Sequence, residues 1–267
     1  MKEELKYILS EVDDNNMARM ILREYLQAKI LKFMQDMGLF HKIAFLGGTA
    51  LRFLYSLNRF SEELDFSVIS DEKPDFMKIM QKIDDKLELE TYDINYKIKE
   101  NGNIHSCLLK FKGLLHELNL SAHEKEILSI KIEVDYNPPK NFKTETSVIR
   151  KYFLLNIKHY DLSTLFAGKL NAIFTRGYTK GRDIYDLFWY LTSKEKILPN
   201  FEFLNNALSQ FDYSTKISNK NWKTILKDKI EKVSWAHITK ELEFFLEDPA
   251  ELEIITKENL IKLISTF

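Results

Sequence analysis

The sequence has a single cysteine, only eight glycines and five prolines, and no long apolar run. One cysteine excludes an internal disulfide, and no Cys/His cluster has zinc-ligand spacing. So few glycines and prolines argue against linkers and low-complexity segments. No window reaches the ~20 apolar residues that span a bilayer, and the first ten residues lack the apolar stretch of a signal peptide. We therefore predict a cytoplasmic globular protein without a membrane partner, in which Cys107 is a buried thiol.

The chain also lacks an excess of charge of either sign, since its formal net charge is −1. The whole surface therefore provides no basic field that would attract a polyanion, and a nucleic-acid partner would have to be held by a local patch. Hydrophobic residues make up 45% of the chain and charged residues 30%, which is typical of a protein with a substantial buried core.

Apolar periodicity in the first half of the chain alternates between strand and helix patterns. Helices are predicted at 15–37 and about 74–87. Strands are predicted at 43–46, 64–69, 92–99, 105–112, 129–136 and 148–157. After about residue 158 every pattern is helical, at 161–176, 183–192, 200–209, 219–232, 235–247 and 256–266. The sequence thus predicts an α/β domain at 1–157 followed by a helical bundle domain at 158–267.

The strand at 43–46 runs directly into Gly47-Gly48 and then into a helical pattern. A glycine turn before a helix presents backbone N–H groups that bind phosphate, and glycine allows a close approach. An ordinary tight turn has the same sequence, so this pair alone leaves both interpretations open. Arg52 could face a phosphate as a charged fork, and Arg59 could do the same or brace Asp65. Thr49 and Ser61 could donate hydrogen bonds to phosphate or serve only as caps.

Two pairs of carboxylates lie two residues apart on predicted strands. Glu63 and Asp65 form the first pair, and Glu133 and Asp135 form the second. Because side chains alternate along a strand, each pair points to one face, where the acids repel each other unless a cation lies between them. Mg²⁺ is the expected cation, since it prefers hard oxygen ligands and substrate phosphates. A solvated strand face is the alternative explanation for either pair.

Together these motifs resemble the AbiEii family of nucleotidyltransferase-like toxins. That family carries a Gly-Gly-Thr-x-Leu-Arg turn, an Arg-Phe-Ser-Glu-Asp-Leu-Asp-Phe strand and a later Lys-Ile-Glu-Ile strand. It also carries Lys-Leu-x-Ala and Arg-Asp-x-Tyr-Asp-Leu segments. The matching segments of this chain occur in the same order, at 45–55, 59–66, 130–135, 165–172 and 182–187.

The resemblance implies an α+β fold, with a polymerase-β-like nucleotidyltransferase domain containing a mixed sheet and a helical bundle domain after it. It implies transfer of a nucleoside monophosphate from a nucleoside triphosphate to an acceptor hydroxyl, with Mg²⁺ as the metal and Mn²⁺ as an alternative ion. tRNA or another RNA is the implied acceptor, and an antitoxin protein is the implied partner.

The resemblance also assigns roles to residues of this chain. The predicted catalytic residues are Glu63, Asp65, Glu133, Lys169 and Asp183. The predicted metal ligands are Glu63, Asp65, Glu133 and Asp135, of which Glu133 matches the family's third acid and Asp135 is its neighbour. The predicted nucleotide-binding residues are Gly47, Gly48, Thr49, Arg52, Ser61, Lys169 and Arg182. From pattern alone, Lys169 is equally consistent with a solvated basic helix face, and Asp183 with a helix cap.

The chain departs from the family pattern at two positions. Glu63 stands where an aspartate is usual, which places the carboxylate one methylene further out, and Gly168 replaces the glutamate that usually precedes the lysine. These departures keep a second interpretation open, in which the chain binds nucleotide or RNA on a catalytically inactive scaffold. Binding needs fewer precisely placed groups than catalysis, so it tolerates such changes better.

Overall fold

One mixed sheet of seven strands organises the structure, a computed structural model that describes residues 2–211 and 213–267. The strand order across the sheet is β3-β4-β5-β2-β1-β7-β6. The strands are β1 Ile43–Leu46, β2 Glu63–Val68, β3 Ile94–Asn101, β4 Ile104–Phe111, β5 Leu128–Asp135, β6 Thr144–Lys151 and β7 Phe153–Tyr160. Strand β2 pairs antiparallel with β1 and parallel with β5, which is far from it in sequence.

Strands β3 and β4 form a hairpin at Asn101-Gly102, since they pair antiparallel on either side of Gly102. Gly102 has a φ of 60°, a conformation that glycine adopts without steric cost. The single strand predicted at 148–157 is wrong, because β6 and β7 flank Tyr152, which has a φ of 59°. Residues 148–155 contain no glycine, proline, asparagine, aspartate or serine, so none of the usual turn residues marks this break.

The helices before β6 are α1 Lys2–Ser10, α2 Asn15–Asp36, α3 Gly47–Tyr55, α4 Phe76–Leu89 and α5 Leu114–Glu117, with a 3₁₀ turn at Leu39–His41. Helices α2 and α4 pack on each other and on one face of the sheet. That face carries the apolar residues of β5, and the opposite face of β5 is half-buried. Cys107 is fully buried among the core residues, and burial raises the pKa of its thiol to about 12, consistent with an inert structural thiol.

The chain divides into two compact units. The first consists of Met1–Leu54, Phe60–Asn137 and Thr146–His159, and the second of Tyr55–Arg59, Pro138–Glu145 and Tyr160–Phe267. The helices of the second unit are α6 Leu162–Thr175, α7 Gly181–Thr192, α8 Phe201–Ser209, α9 Trp222–Glu231, α10 Trp235–Leu242 and α11 Lys257–Thr266, with a 3₁₀ turn at Pro249–Glu253.

Helix α7 is central to the second unit, since it packs against α6, α10 and α11. Its Tyr190 stacks on Phe166 of α6, with the ring centroids 4.2 Å apart, and the indole of Trp222 meets Phe166 edge-on. Aromatic pairs in these geometries add to the stability gained from burying the rings. Among the described residues, no helix is both long enough and apolar enough to cross a membrane.

Candidate active site

Strand pairing brings together three of the predicted acids. In the parallel register of β2 and β5, Asp65 lies opposite Glu133, and Glu63 lies opposite Lys131. Glu63, Asp65 and Glu133 each offer a carboxylate oxygen, and the three oxygens lie within 4.8 Å of one another. We call these three residues the acidic triad. Its members are half-buried, so they remain accessible from the face opposite the apolar core.

The acidic triad has the donor set that a divalent cation requires. Carboxylate oxygens are hard ligands, and Mg²⁺ binds through a small number of them together with water and substrate phosphates. Three carboxylates this close repel one another, and a cation between them would relieve that repulsion. The residues present therefore fit a magnesium site.

Asp135, the fourth predicted metal ligand, lies two residues after Glu133 on β5, where it pairs with Ser67 of β2. Its carboxylate accepts the backbone N–H of Asn137 at 2.8 Å, and burial raises its pKa against the lowering effect of that hydrogen bond. The triad identified among the described residues does not include Asp135. Its role as a metal ligand stays a prediction.

Gly47 allows the backbone to lie close to Asp65 of the triad. It adopts a φ of 82°, and a Cβ built at this position would lie 2.2 Å from Oδ2 of Asp65. No real side chain tolerates such a distance, so the backbone can approach the carboxylate only because position 47 is glycine. The glycine turn identified in the sequence therefore shapes the space around Asp65.

We expect Gly47→Ala to weaken Mg²⁺ binding and to lower stability by more than the ~1–2 kcal/mol that a left-handed conformation costs a residue with a Cβ. The added methyl group must push Asp65 out of the triad. Gly113→Ala is the matched control, because Gly113 has a φ of 65° and its built Cβ meets nothing within 4 Å. Thermal unfolding with and without Mg²⁺ measures both effects. Equal losses in the two variants would show that the contact with Asp65 is unimportant.

Two predicted phosphate-binding side chains have partners inside the first unit. The Thr49 hydroxyl is buried and donates a hydrogen bond to the backbone carbonyl of Glu63, which fixes the start of β2. The Arg52 guanidinium is buried in an ion pair with Glu24 and lies over the ring of Phe60, 4.4 Å from its centroid. Thr49 thus positions backbone at the triad, Arg52 is held by side chains of the same unit, and the contacts of both with phosphate stay predictions.

Gly48 and Ser61 complete the predicted nucleotide-binding set of the first unit. Gly48 lies in the first turn of α3, directly after Gly47. Ser61 is half-buried, and its backbone carbonyl accepts a hydrogen bond of 3.0 Å from the side-chain amide of Gln27. Their roles in nucleotide binding also stay predictions.

Lys131 is a neighbour of the triad to which sequence reasoning gave no role. Its Nζ lies 2.9 Å from Glu133 Oε1 and 3.7 Å from Glu63 Oε1. Burial alone lowers the pKa of this ammonium, but the hydrogen bond to Glu133 and the charges of Glu63, Glu133 and Asp65 more than offset this, so its pKa is raised. The only available signal was its position two residues before Glu133, on the same strand face.

A second charged group lies within the second unit. Lys169 Nζ is 3.1 Å from Asp183 Oδ1 and 2.7 Å from Asp186 Oδ2. Two nitrogens of Arg59 donate to the two carboxylate oxygens of Asp186, each at 2.7 Å. Arg176 pairs with Asp183. We call these five residues the buried ion network.

Charge pairing sets the protonation of the network. Burial raises the pKa of the Asp186 carboxyl, and the positive charges of Arg59 and Lys169 more than offset this, so its pKa is lowered. Burial lowers the pKa of the Lys169 ammonium, and Asp186 and Asp183 more than offset this, so its pKa is raised. Both groups are thus charged at neutral pH. Sequence reasoning placed Lys169 and Asp183 in the site but assigned no function to Asp186.

Arg182, the remaining predicted nucleotide-binding residue, lies in the first turn of α7. Its Nε is 3.5 Å from Glu241 Oε1, and its guanidinium lies 4.2 Å from the centroid of the Phe245 ring. The guanidinium of Arg182 thus contacts an acidic and an aromatic side chain of the same unit. Its contact with a nucleotide stays a prediction.

Comparison with known proteins identifies a matching family and several similar structures. The family model described as nucleotidyl transferase AbiEii toxin, type IV TA system, matches residues 29–257. The solved structure of JHP933 from Helicobacter pylori is 20% identical with a TM-score of 0.55, covering 92% of this chain and 90% of that chain. MenT4, a nucleotidyltransferase toxin from Mycobacterium tuberculosis H37Rv, is 12% identical with a TM-score of 0.55, covering 100% and 90%. At these identities the likeness shows a shared fold, which confirms the predicted fold class. Among curated proteins, none matches this chain.

Proposed function

Because this chain belongs to the AbiEii family of nucleotidyl transferase toxins, we propose that it transfers a nucleoside monophosphate from a nucleoside triphosphate to a hydroxyl of an RNA acceptor. The metal in this proposal is Mg²⁺, with Mn²⁺ as a substitute, and tRNA is the first acceptor to test. An antitoxin protein as partner and a cytoplasmic location are parts of the same proposal.

The acidic triad is the observation that carries the proposal. Glu63 and Asp65 come from one strand and Glu133 from a strand more than sixty residues later, yet the register of β2 and β5 places their oxygens within 4.8 Å. A solvated strand face would explain one pair of acids but gives no reason for a third acid opposite Asp65. Nucleotidyl transfer does, since a cation held by these carboxylates would stabilise charge on both the attacking and the leaving oxygen.

The triad residues have distinct tasks in the proposed reaction. Glu63 and Asp65 hold the cation and orient the triphosphate, and Glu133 completes the carboxylate set. Bound there, Mg²⁺ would polarise the phosphoryl oxygens and neutralise developing negative charge. The acceptor oxygen forms a bond to the α-phosphorus. The bond between the α-phosphorus and the oxygen that bridges it to the β-phosphorus breaks, and pyrophosphate leaves. A carboxylate oxygen of Glu133 receives the proton that the acceptor hydroxyl loses.

We further propose, from the family resemblance, that Lys169, Asp183 and Arg182 serve the nucleotide. What supports a charged role for Lys169 is that its neighbours raise its pKa, so it remains an ammonium at neutral pH. A lysine that stays protonated in a buried network can neutralise phosphate charge. The ion pairs with Asp183 and Asp186 hold the side chain in one position.

The test is transfer of label from each radiolabelled nucleoside triphosphate to total tRNA in the presence of Mg²⁺. Glu63→Gln should abolish transfer, and Glu62→Gln should not, because Glu62 is adjacent and acidic but lies outside the triad. An Asp135→Asn arm decides whether a fourth carboxylate contributes. Transfer that survives Glu63→Gln, or no transfer with any nucleotide and RNA, would contradict the proposal.

Binding without transfer is the second candidate function, and Glu63 is the observation that favours it. Glutamate reaches one methylene further than the aspartate usual at this position, and a displaced ligand costs catalysis far more than binding. Under this candidate, wild-type protein binds nucleoside triphosphate in equilibrium dialysis, but no label moves to RNA. Transfer gained by Glu63→Asp would then identify the extra methylene as the cause.

We expect Lys131→Met to increase the affinity for Mg²⁺ by about tenfold, which corresponds to ~1.4 kcal/mol. The Lys131 ammonium already lies between Glu63 and Glu133, so an incoming cation must compete with it. Lys112→Met is the control, since Lys112 forms an exposed pair with Asp93 outside the triad. Calorimetric titration with Mg²⁺ measures the change. Weaker binding by Lys131→Met would mean that the ammonium organises the triad instead of competing for it.

A further inference from the structure

The face of the sheet that carries the acidic triad continues onto β4 and β3. Antiparallel register places Ser106 opposite Glu133 and Leu108 opposite Lys131, and then Lys99 opposite Ser106 and Lys97 opposite Leu108. Directly paired residues point to the same face of a sheet. The triad and the side chains of alternate residues on β3 and β4 therefore share one continuous surface.

Packing on the opposite face fixes this assignment. Cys107, Leu109 and Phe111 are fully buried on the core side of β4. Tyr96 of β3 donates a hydrogen bond from its hydroxyl to Gln81 of α4, at 3.0 Å, so the odd-numbered neighbours of Tyr96 point away from that helix. Lys97 and Lys99 are accordingly exposed, and Lys110 is half-buried.

The charge on this part of the surface has one sign. Strands β3 and β4 contribute eight residues to it: Asn95, Lys97, Lys99, Asn101, Ile104, Ser106, Leu108 and Lys110. Three are lysines and none is acidic. Within the part of the chain that the structure describes, Lys97, Lys99 and Lys110 form no ion pair, unlike Lys131 beside the triad. We call these three residues the lysine face.

We propose that the lysine face binds the phosphodiester backbone of the RNA acceptor and leads its reactive end to the acidic triad. This inference rests on the proposed function and identifies where the acceptor lies. Strands are about 5 Å apart, so Lys99 lies about 10 Å from Glu133 and Lys97 about 14 Å from Glu63 across the sheet. A strand of RNA whose terminal hydroxyl is at the triad has several phosphates within that reach.

A polyanion fits this surface better than a folded protein partner does. Unpaired lysines act as point charges for phosphates, and Asn95, Asn101 and Ser106 add hydrogen-bond donors of the kind that contact phosphate oxygens. Only Ile104 and Leu108 are apolar, which is too few for the hydrophobic centre of a stable protein interface. Since the net charge of the chain is −1, attraction for RNA must come from a local patch such as this one.

The experiment compares two triple variants of equal charge. Lys97→Gln/Lys99→Gln/Lys110→Gln removes the lysine face, and Lys73→Gln/Lys82→Gln/Lys125→Gln removes three exposed lysines of the same unit that lie outside it. Fluorescence anisotropy measures binding of a labelled single-stranded oligoribonucleotide at several salt concentrations. Each lost phosphate contact lowers the salt slope by about 0.7, so the lysine-face variant should bind about tenfold or more weakly, with a slope lower by about 2.

The control triple variant should match wild type in both affinity and slope. Equal binding by the two triple variants overturns the inference, as does wild-type protein that ignores the oligoribonucleotide and binds a polyglutamate peptide. Binding of Mg²⁺ and nucleoside triphosphate should be unchanged in the lysine-face variant, which separates this inference from the proposed chemistry. If transfer occurs and does not depend on the lysine face, the inference is wrong and the proposed function stands. If RNA binding depends on the lysine face but no transfer occurs, the proposed function is wrong and the inference stands.

Discussion

Replacing Asp65 with asparagine should lower nucleotidyl transfer by about 10³-fold or more while leaving the fold intact. Asp65 is central to the triad, because it lies opposite Glu133 in the sheet and its carboxylate occupies the space that a Cβ at position 47 would fill. Asparagine keeps the shape but puts an amide NH₂, which repels cations, in place of one carboxylate oxygen. Losing several kcal/mol of charge stabilisation gives a factor of this size, since each 1.4 kcal/mol is tenfold.

Single-turnover transfer rates and thermal unfolding together check this expectation. Without Mg²⁺, Asp65→Asn should unfold at or above the wild-type temperature, because one of three mutually repelling charges is gone. The rise in unfolding temperature that Mg²⁺ produces in wild type should disappear. Asp93→Asn is the control, since the Asp93 carboxylate is 68% exposed and pairs only at the surface with Lys112. A rate for Asp65→Asn within tenfold of wild type would exclude the triad as the catalytic metal site.

The acids of the site could be found in the sequence because their arrangement is local. Glu63 and Asp65 are two residues apart on a strand, and the period of two fixes them on one face whatever else the chain does. The Gly47-Gly48 turn was also recognisable from local sequence, but only the family resemblance distinguished it from an ordinary tight turn. The family resemblance favoured Glu133 over Asp135 as the third acid, but the parallel register that places Glu133 opposite Asp65 depends on the whole sheet and was not predicted.

Long-range pairing is what the sequence could not show. Arg59 and Asp186 are 127 residues apart, and Arg52 and Glu24 are 28 apart, so no local pattern connects either pair. Charged residues are mostly exposed, and burial of these four follows from tertiary packing alone. The reversal at Tyr152 was missed for a related reason, because the neighbouring strands impose a left-handed φ there that the residue type does not favour.

Asp186→Asn should lower the free energy of unfolding by about 3–5 kcal/mol, the usual cost of removing one partner from a buried ion pair. Asp186 is fully buried, and it accepts two hydrogen bonds from Arg59 and pairs with Lys169. Asparagine leaves both cations buried with one negative charge fewer. For a chain of this size, that loss corresponds to a fall of about 10 °C in the unfolding temperature.

Denaturant and thermal unfolding measure this loss, with Glu126→Gln as the control. Glu126 pairs with Arg19 at a surface site where both side chains are about a third exposed, so its replacement should cost far less stability than that of Asp186. Because the pKa of Asp186 is lowered in the folded protein, its stabilisation is present above the unfolded pKa and is lost as pH falls through the folded pKa. The gap between wild type and Asp186→Asn should therefore stay constant from about pH 6 to 8 and narrow in acid. A gap no larger than that of Glu126→Gln would mean that the buried ion network does not stabilise the fold.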